Sequence, residues 1–391
     1  MITPPVSTGL DQFLRAPGRP WKSKRLGLIV HGASVTHRLE HATAALRRKG
    51  FRLTALFAPE HGLSADLQDQ APVQGVRDRQ TGLPVFSLYG KTLSPTPAML
   101  AKIDVLVFDL QDIGVRYYTF IWTMALAMKA CAEAGKPFIV LDRPNPLGGE
   151  KLEGNMPDPA FASFVGLLPV PILHGMTPGE LARYFNSTQK WGTDLRVVPL
   201  TGWKRSMRFD QTGLPWVMPS PNMPTLDTAT VYGGMCLLEA TDISEGRGTT
   251  RPFEILGAPY IDGDKLAVAL NKKRLSGVVF RSVRFRPTFN KWAGQRCGGV
   301  QLHVTHPARY NSFLTGLLLI QTVRRLFPGF HWKPPPYEYE TIKKPMDILC
   351  GTDQIRRAIE DGSDLTVFDH SRSSDRRLFR LLRRPHLLYA V

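Results

Sequence analysis

The sequence has few cysteines, and they are not arranged to bind a metal or to form a disulfide framework. Four occur among 391 residues, without a C-x-x-C pair or a histidine at ligand spacing. We therefore expect free thiols in the core: Cys131, Cys236, Cys297 and Cys350. The acidic residues and histidines also lack a recognisable ligand spacing, so no metal is predicted.

Long apolar runs are absent as well. No segment has about 18 uncharged apolar residues in a row, and the N-terminus lacks the apolar stretch of a secretory signal peptide. The sequence thus predicts no membrane insertion and, as it stands, a cytoplasmic protein. Export of a processed form stays open at this stage.

Three motifs of nucleotide and serine chemistry are missing. There is no G-x-x-x-x-G-K-[ST] phosphate loop, and the first apolar run continues as LIVHGASVTH where a dinucleotide-binding protein has G-x-G-x-x-G. A G-x-S-x-G nucleophile motif is also absent. No cofactor is therefore predicted, and carboxylate chemistry is the remaining expectation.

Positive charge is in excess, with a formal net charge of +17. Such a charge favours polyanionic partners, whether nucleic acid, anionic lipid or an acidic glycan. Part of it lies near the C-terminus, in SRSSDRRLFRLLRRPHLL, which has no interleaved aromatics and no nucleic-acid-binding module. Nucleic acid is therefore not a predicted partner.

Short apolar runs alternate with helical stretches in the first half, which predicts an α/β fold with a parallel sheet. The candidate strands are residues 25–30, 51–57, 104–110 and 137–142, with a helix within 117–135. After residue 259 the pattern changes to that of a smaller α+β domain. Its candidate helices are 263–274 and 311–327, and its candidate strands are 277–287 and 298–306.

Polar side chains follow three of these strands, where ligands of open parallel sheets bind. Glu60 and His61, between Pro59 and Gly62, put two proton-transfer groups on a rigid turn. The alternative is an ordinary surface loop.

The other two strands deliver further candidates for binding a substrate. Asp112, Arg116 and Tyr117 follow the third strand, and an arginine there can hold a carboxylate or sugar hydroxyls. Asp142 ends the fourth strand, and the prolines after it present Asn145. A structural alternative is that Asp142 only braces its loop.

Later loops add the remaining candidates. His174 precedes Thr177 and Glu180, which together predict a capping box at a helix start, so His174 is the better sugar contact. Asn222 lies in a stiff proline-rich loop. Glu245 and Arg247 lie among glycines, which allow close approach to a ligand.

At this point six blocks, in order, resemble the NamZ-type exo-β-N-acetylmuramidase family, long catalogued as a domain of unknown function. The resemblance implies a Rossmann-like parallel-sheet domain (1–228), a smaller C-terminal domain (229–391) and an active site in the cleft between them. It also implies the partner, a peptidoglycan-derived glycan or muropeptide ending in β-1,4-linked N-acetylmuramic acid. The blocks are PEHGL, TGLPVFSLYG, DVLVFDLQDIGVRYYTF, VLDRPNPLGG, GLPWVMPSPNMPT and LLEATDISEGRGTTRPFE.

With that substrate, we expect Glu60 to be the general acid and His61 to position it. For a second carboxylate we prefer Glu245, then Asp142 or Glu180, with retaining, inverting and substrate-assisted routes all open. Arg116 or Arg247 is the expected partner of the lactyl carboxylate. The other predicted substrate contacts are Asp112, Tyr117, Asp142, Asn145, His174 and Asn222.

The sequence departs from the family pattern at several turns. Val30-His31-Gly32-Ala33-Ser34 replaces a Thr-Asn-x-Thr-Gly type of turn, and Asp242 adds a charge that we expect beside the cleft. Altered specificity would follow if the His31 turn touched substrate. The competing hypotheses are a cell-wall glycan binder without turnover, a hydrolase of another N-acetylhexosamine and a polyanion-binding protein.

Overall fold

The computed structural model describes residues 6–15, 19–68 and 77–390 of the chain. Its first sheet has six strands, all parallel, in the order β3-β2-β1-β4-β5-β6. This is the doubly wound order of a Rossmann-like fold, so the predicted α/β class is confirmed. The strands are β1 (Leu26–Val30), β2 (Leu53–Ala58), β3 (Val85–Ser87), β4 (Val105–Asp109), β5 (Phe138–Leu141) and β6 (Leu195–Val198).

The central strands of this sheet are covered on both faces, which is why they are uninterrupted apolar runs in the sequence. Every residue of β1, β4 and β5 is buried. The long crossover helix between β4 and β5 is buried along most of its length, as predicted. The helices of this part, within the described residues, are α1 (Gly9–Arg15), α2 (Arg19–Lys22), α3 (Ala42–Arg48), α4 (Pro97–Leu100), α5 (Phe120–Glu133) and α6 (Pro178–Thr188), and α7 (Leu226–Met235) leads into the C-terminal part.

The C-terminal part is built on a three-stranded antiparallel sheet in the order β7-β9-β8. Its strands are β7 (Ile255–Ala258), β8 (Val278–Phe285) and β9 (Cys297–Val304). Six helices complete it: α8 (Gly263–Asn271), α9 (Ser312–Leu326), α10 (Pro345–Cys350), α11 (Gln354–Asp361), α12 (Leu365–Ser371) and α13 (Ser373–Arg383). This smaller α+β part agrees with the predicted fold class.

Helices α7 and α9 cross at very short distance, where two glycines meet. A Cβ on Gly234 would lie 1.9 Å from the carbonyl oxygen of Ser312, and one on Gly316 would lie 2.3 Å from that of Gly234. Only glycine permits backbones this close. In the described part of the chain, no helix has the length and apolar character needed to cross a membrane.

Candidate active site

A cleft opens at the carboxyl edge of the parallel sheet and is closed by the C-terminal part. It contains about 480 Å³ of empty space. The loop after β2, the start of α5, the segment after α7 and a loop before α10 all contribute to its wall. Three carboxylates line it, Glu60, Glu239 and Glu338, together with His61, Asn222, Arg247 and four tyrosines.

Glu60 follows β2 directly and is buried. Its Oε2 accepts a hydrogen bond from Thr119 Oγ1 at 2.7 Å. Thr119 is the N-cap of α5, yet its side chain makes no capping bond to that helix. The hydroxyl that would ordinarily cap a helix is therefore used to orient the predicted acid.

His61 is held in a strained backbone conformation beside Glu60. Its φ is +70°, a region that residues other than glycine rarely adopt and that is common at functional sites. The Nδ1 atom lies 2.7 Å from the carbonyl oxygen of Leu67 and donates to it. In the neutral ring, Nε2 is therefore left as the acceptor.

A chain of charges runs along the opposite wall. The two ends of the Arg247 guanidinium contact Glu239 at 2.9 Å and Glu245 at 2.6 Å, and Lys291 contacts Glu245 at 2.8 Å. Tyr337 donates to the other Glu239 oxygen at 2.6 Å. Glu239 and Arg247 line the cleft, whereas Glu245 is behind them and does not.

The surroundings of Glu245, a buried site next to two cations, determine its protonation state. Burial acts to raise its pKa, but Lys291 and Arg247 outweigh burial and lower the pKa of Glu245 to about 2. It is therefore a permanent anion at neutral pH, with both oxygens committed to cations. Glu60 and His61 line the cleft, as predicted for catalytic residues, but Glu245 does not.

Two predicted contacts, Tyr117 and Asn222, do line the cleft. The Tyr117 hydroxyl is buried and has no hydrogen-bond partner among the described residues. Burial also raises the pKa of Tyr117 well above its usual value, so the hydroxyl keeps its proton. Asn222 Nδ2 donates to Gln68 at 2.7 Å. Tyr117 is thus a hydrogen-bond donor available to a ligand.

Arg116 is placed differently from the prediction. The side chain is buried, and its two terminal nitrogens donate to the backbone carbonyls of Asn155, Val170 and Leu349 at 2.7 to 3.1 Å. These bonds join two loops to helix α10. Arg116 is not among the residues that line the cleft, so its environment is that of a structural residue rather than a carboxylate receptor.

Asp142 and Asn145 also lie outside the cleft lining. Asp142 is buried, and its carboxyl group accepts four hydrogen bonds. Two come from the hydroxyls of Thr177 and Tyr389, and two from the backbone nitrogens of Arg143 and Gly179. Asn145 bridges its own loop to the carbonyl of Met176. Asp142 therefore braces its loop, which is the structural alternative that the sequence left open.

Asp112 and His174 face each other behind the cleft, with Oδ2 and Nε2 3.7 Å apart. Burial raises the pKa of Asp112 to about 7, while burial and Arg383 lower that of His174 to about 3. Neither is among the residues lining the cleft. Both are neutral or partly neutral groups of the protein interior, not sugar contacts.

Glu180 forms the predicted capping box of α6 with Thr177 and also pairs with Arg205 at 2.6 Å. Both partners are buried. Besides Glu60, the carboxylates that reach the cleft are Glu338 and Glu239, the latter in the 3-10 turn Cys236–Ala240 after α7. No motif marks it in the sequence, although it lies inside the block LLEATDISEGRGTTRPFE.

The turns that depart from the family pattern are structural. His31 is buried, accepts from the Gln111 nitrogen at 3.0 Å and donates to Pro219 at 3.2 Å. Burial and Arg143 lower the pKa of His31 to about 3, so it stays neutral. The Asp242 carboxylate accepts hydrogen bonds from the Tyr260 hydroxyl and from the backbone nitrogen of His331. Neither His31 nor Asp242 belongs to the cleft lining.

In the described part of the chain, no group of three or more histidine, cysteine, aspartate or glutamate side chains could hold a metal ion. A parallel α/β sheet with carboxylates and a histidine in a cleft at its carboxyl edge defines an enzyme that works by acid–base chemistry. Glycosidases are the large class that relies on carboxylates placed in this way.

Comparison with known proteins assigns the chain within that class. It belongs to the exo-β-N-acetylmuramidase NamZ family, whose N-terminal model matches residues 26–227 and whose C-terminal model matches residues 230–389. Peptidoglycan β-N-acetylmuramidase NamZ of Bacillus subtilis is 46% identical over 388 residues, which cover 99% of this chain and 92% of that protein.

Two crystal structures of DUF1343 family proteins from Bacteroides fragilis have the same fold. One superposes with a TM-score of 0.90 at 35% identity and covers 100% of both chains. The other has a TM-score of 0.77 at 29% identity and covers 98% of this chain and 99% of its own. The fold is thus shared over the whole length.

Proposed function

We propose that this chain is an exo-acting glycosidase that releases terminal β-1,4-linked N-acetylmuramic acid from peptidoglycan fragments. The observation that carries the proposal is the cleft at the carboxyl edge, which Glu60 and His61 line together with Glu239 and Arg247. The family membership and the B. subtilis relative support the substrate. Incubation of the purified protein with a muropeptide disaccharide, followed by mass spectrometry of the released sugar, tests it.

In this proposal Glu60 protonates the leaving oxygen of the scissile bond. Thr119 holds Oε2 of Glu60, and this hydrogen bond fixes the position of the carboxyl group that lines the cleft. His61, locked by Leu67, positions the acid or a sugar hydroxyl through Nε2. A fixed geometry lowers the barrier because the reacting groups need no reorganisation on binding.

The second carboxylate of the proposed reaction is Glu239 rather than Glu245. Glu239 lines the cleft, and Arg247, Tyr337 and the Cys236 thiol donate to it. Those donors fix the position of the Glu239 carboxyl group, which in this reaction would support an oxocarbenium-like transition state or activate a water. Glu245 acts through Arg247, by holding its guanidinium in place.

Arg247 remains the proposed receptor for the lactyl carboxylate. It lines the cleft and packs over the Phe253 ring at 4.9 Å, which fixes the plane of the guanidinium. Tyr117 and Asn222 supply donors for the sugar hydroxyls or the acetamido group. Lysine at position 247 keeps the charge but loses the planar fork, so Arg247→Lys tests recognition without removing the cation.

The test compares a muraminide with the matching glucosaminide, which lacks the lactyl group. We expect Arg247→Lys to reduce kcat/KM about tenfold or more on the muraminide and to leave the glucosaminide nearly unchanged. Equal losses on the two substrates would remove the carboxylate-recognition role. The free cysteines, all four buried, support work in a reducing compartment, so we place the proposed activity in cytoplasmic recycling of muropeptides.

A further inference from the structure

Helix α13 is anchored to the protein by one side of its surface. Phe379 and Arg383 are buried, and Arg383 donates to the carbonyls of Gly149, His174 and Gly175. Arg376 pairs with Asp369 of α12 at 3.0 Å. These contacts fix the orientation of the helix, and therefore fix which side chains point away from the protein.

The outer side of α13 carries two rows of long side chains. Leu378, Leu381 and Leu382 are 49%, 67% and 39% exposed. Arg377 and Arg380 of the helix and Arg384, the residue that caps its C-terminus, are exposed beside them at positions three and four residues apart, so they form a second row. Within the described ranges none of these three arginines forms an ion pair. We call this surface the leucine–arginine face.

The leucine–arginine face has no role in the proposed reaction. None of its residues lines the cleft. Three adjacent exposed leucines are uncommon on a surface unless something covers them, and three arginines without an ion pair beside them attract an anionic partner. A surface that combines both features fits a partner that is apolar inside and anionic at its boundary.

We propose that the leucine–arginine face docks the protein on an anionic lipid bilayer. In this arrangement α13 lies parallel to the membrane, the leucines enter the boundary of the acyl chains, and the guanidinium groups contact lipid phosphates. The aliphatic stems of the arginines can lie along the apolar layer while their charges remain at the headgroups. The contact is peripheral and needs no membrane-spanning segment.

Other occupants fit the face less well. In a symmetric dimer the same patch meets itself, so six arginines would be brought together without counter-charges. A soluble polyanion would satisfy the arginines but leave the leucines in water. Only the bilayer uses both rows.

The experiment is co-sedimentation of the full chain with vesicles of 30% phosphatidylglycerol in phosphatidylcholine, and with vesicles of phosphatidylcholine alone. We expect binding to the anionic vesicles only, weakened by salt. Leu378→Ser with Leu381→Ser should lower the partition coefficient about tenfold or more. Each of Arg377→Ala and Arg380→Ala should lower it about fivefold.

Matched controls come from other surfaces. Ile342, 83% exposed, gives the control Ile342→Ser for loss of an exposed apolar side chain. The exposed Arg52 gives the control Arg52→Ala for loss of a charge. Both should bind vesicles as the unchanged protein does.

Three results would each overturn the proposal. They are equal binding to neutral vesicles, leucine variants that bind like Ile342→Ser, and a dimer in analytical ultracentrifugation that the leucine variants abolish. Retention on a heparin column that depends on the arginines while vesicle binding is absent would assign the face to a soluble polyanion instead. Hydrolysis of a soluble substrate should be unchanged in all these variants, so this outcome is independent of the proposed reaction.

Discussion

Thr119 donates its hydroxyl hydrogen to Glu60, with the two oxygens 2.7 Å apart. The bond joins the start of α5, which follows β4, to the loop that follows β2. Two strands separated by β1 in the sheet are thereby linked at their carboxyl ends. In our account this bond sets the orientation of the general acid.

Removal of this hydroxyl should slow catalysis without preventing binding. Thr119→Val keeps the shape of the side chain but leaves Glu60 Oε2 without that donor. We expect kcat to fall about tenfold with KM nearly unchanged, since one such hydrogen bond is worth about 1 to 1.5 kcal/mol. Steady-state kinetics check this, with Thr119→Ser as the control that should retain most of the rate. A change confined to KM would contradict a positioning role.

Glu239 should be essential if it is the second carboxylate. Glu239→Gln conserves the size of the side chain and removes the charge, so we expect kcat to fall about 10² to 10⁴-fold. Tyr337→Phe, which removes only a donor to Glu239, should cost about tenfold. Circular dichroism confirms folding before the kinetics are measured. Near-normal turnover by Glu239→Gln would contradict this role and would favour Glu245 as the second carboxylate, or a substrate-assisted route.

Glu245 should matter for stability through its two ion pairs. Its pKa of about 2 in the folded state lies below the unfolded value, so its contribution is present above about pH 4.3 and is lost as the pH falls toward 2. We expect Glu245→Gln to lose about 3 to 5 kcal/mol of unfolding free energy at pH 7 and much less at pH 3. Urea titrations at both pH values measure the difference.

The control for this prediction is a comparable pair at the surface. Glu340 and Lys343 are 3.4 Å apart and both partly exposed, so Glu340→Gln should change stability little at either pH. A pH-independent effect of Glu245→Gln would mean that packing, and not its charge, accounts for the loss.

Asp112 should have the opposite pH dependence. Its folded pKa of about 7 lies above the unfolded value, so its contribution is present below about pH 4 and is lost as the pH rises through 7. Asp112→Asn should therefore flatten the fall in stability between pH 4 and 7, by roughly 2 to 4 kcal/mol. Unfolding midpoints across that range test this, with the exposed Asp210→Asn as control. Parallel curves for the Asp112 variant and the unchanged protein would contradict it.

Much of the fold could be predicted because the central strands are buried on both faces. β1, β2, β4 and β5 are apolar runs for that reason, and α5 follows from its composition. β3 has only three residues, and the four residues of β6 are half-buried or exposed, so neither has a distinct pattern. The division at residues 228 and 229 stays a prediction.

The candidate site could be predicted only where polar residues follow strands directly. Glu60 and His61 come straight after β2, and the rule that ligands bind at carboxyl ends selects them. Glu239 and Glu338 reach the cleft only through packing of the C-terminal part, which no local pattern records. Arg116 satisfied the same rule as Glu60, yet tertiary packing turned it toward backbone carbonyls.

The helices after α10 show a similar limit. α11 and α13 are short and strongly charged, so the sequence suggests a basic tail more readily than packed helices. Phe379 and Arg383 hold α13 against the rest of the protein, because both side chains are buried there. The carbonyls that Arg383 contacts lie more than 200 residues earlier in the chain.

The central claim is that Glu60 drives hydrolysis of a terminal β-N-acetylmuraminide. The most direct measurement is release of the chromophore from a chromogenic β-N-acetylmuraminide, and from its N-acetylglucosaminide counterpart, by the protein and by Glu60→Gln. We predict faster turnover of the muraminide than of the glucosaminide, with kcat on the muraminide reduced about 10² to 10⁴-fold in the folded variant. Release of neither sugar by the unchanged protein, or equal rates for the protein and Glu60→Gln, would contradict the account.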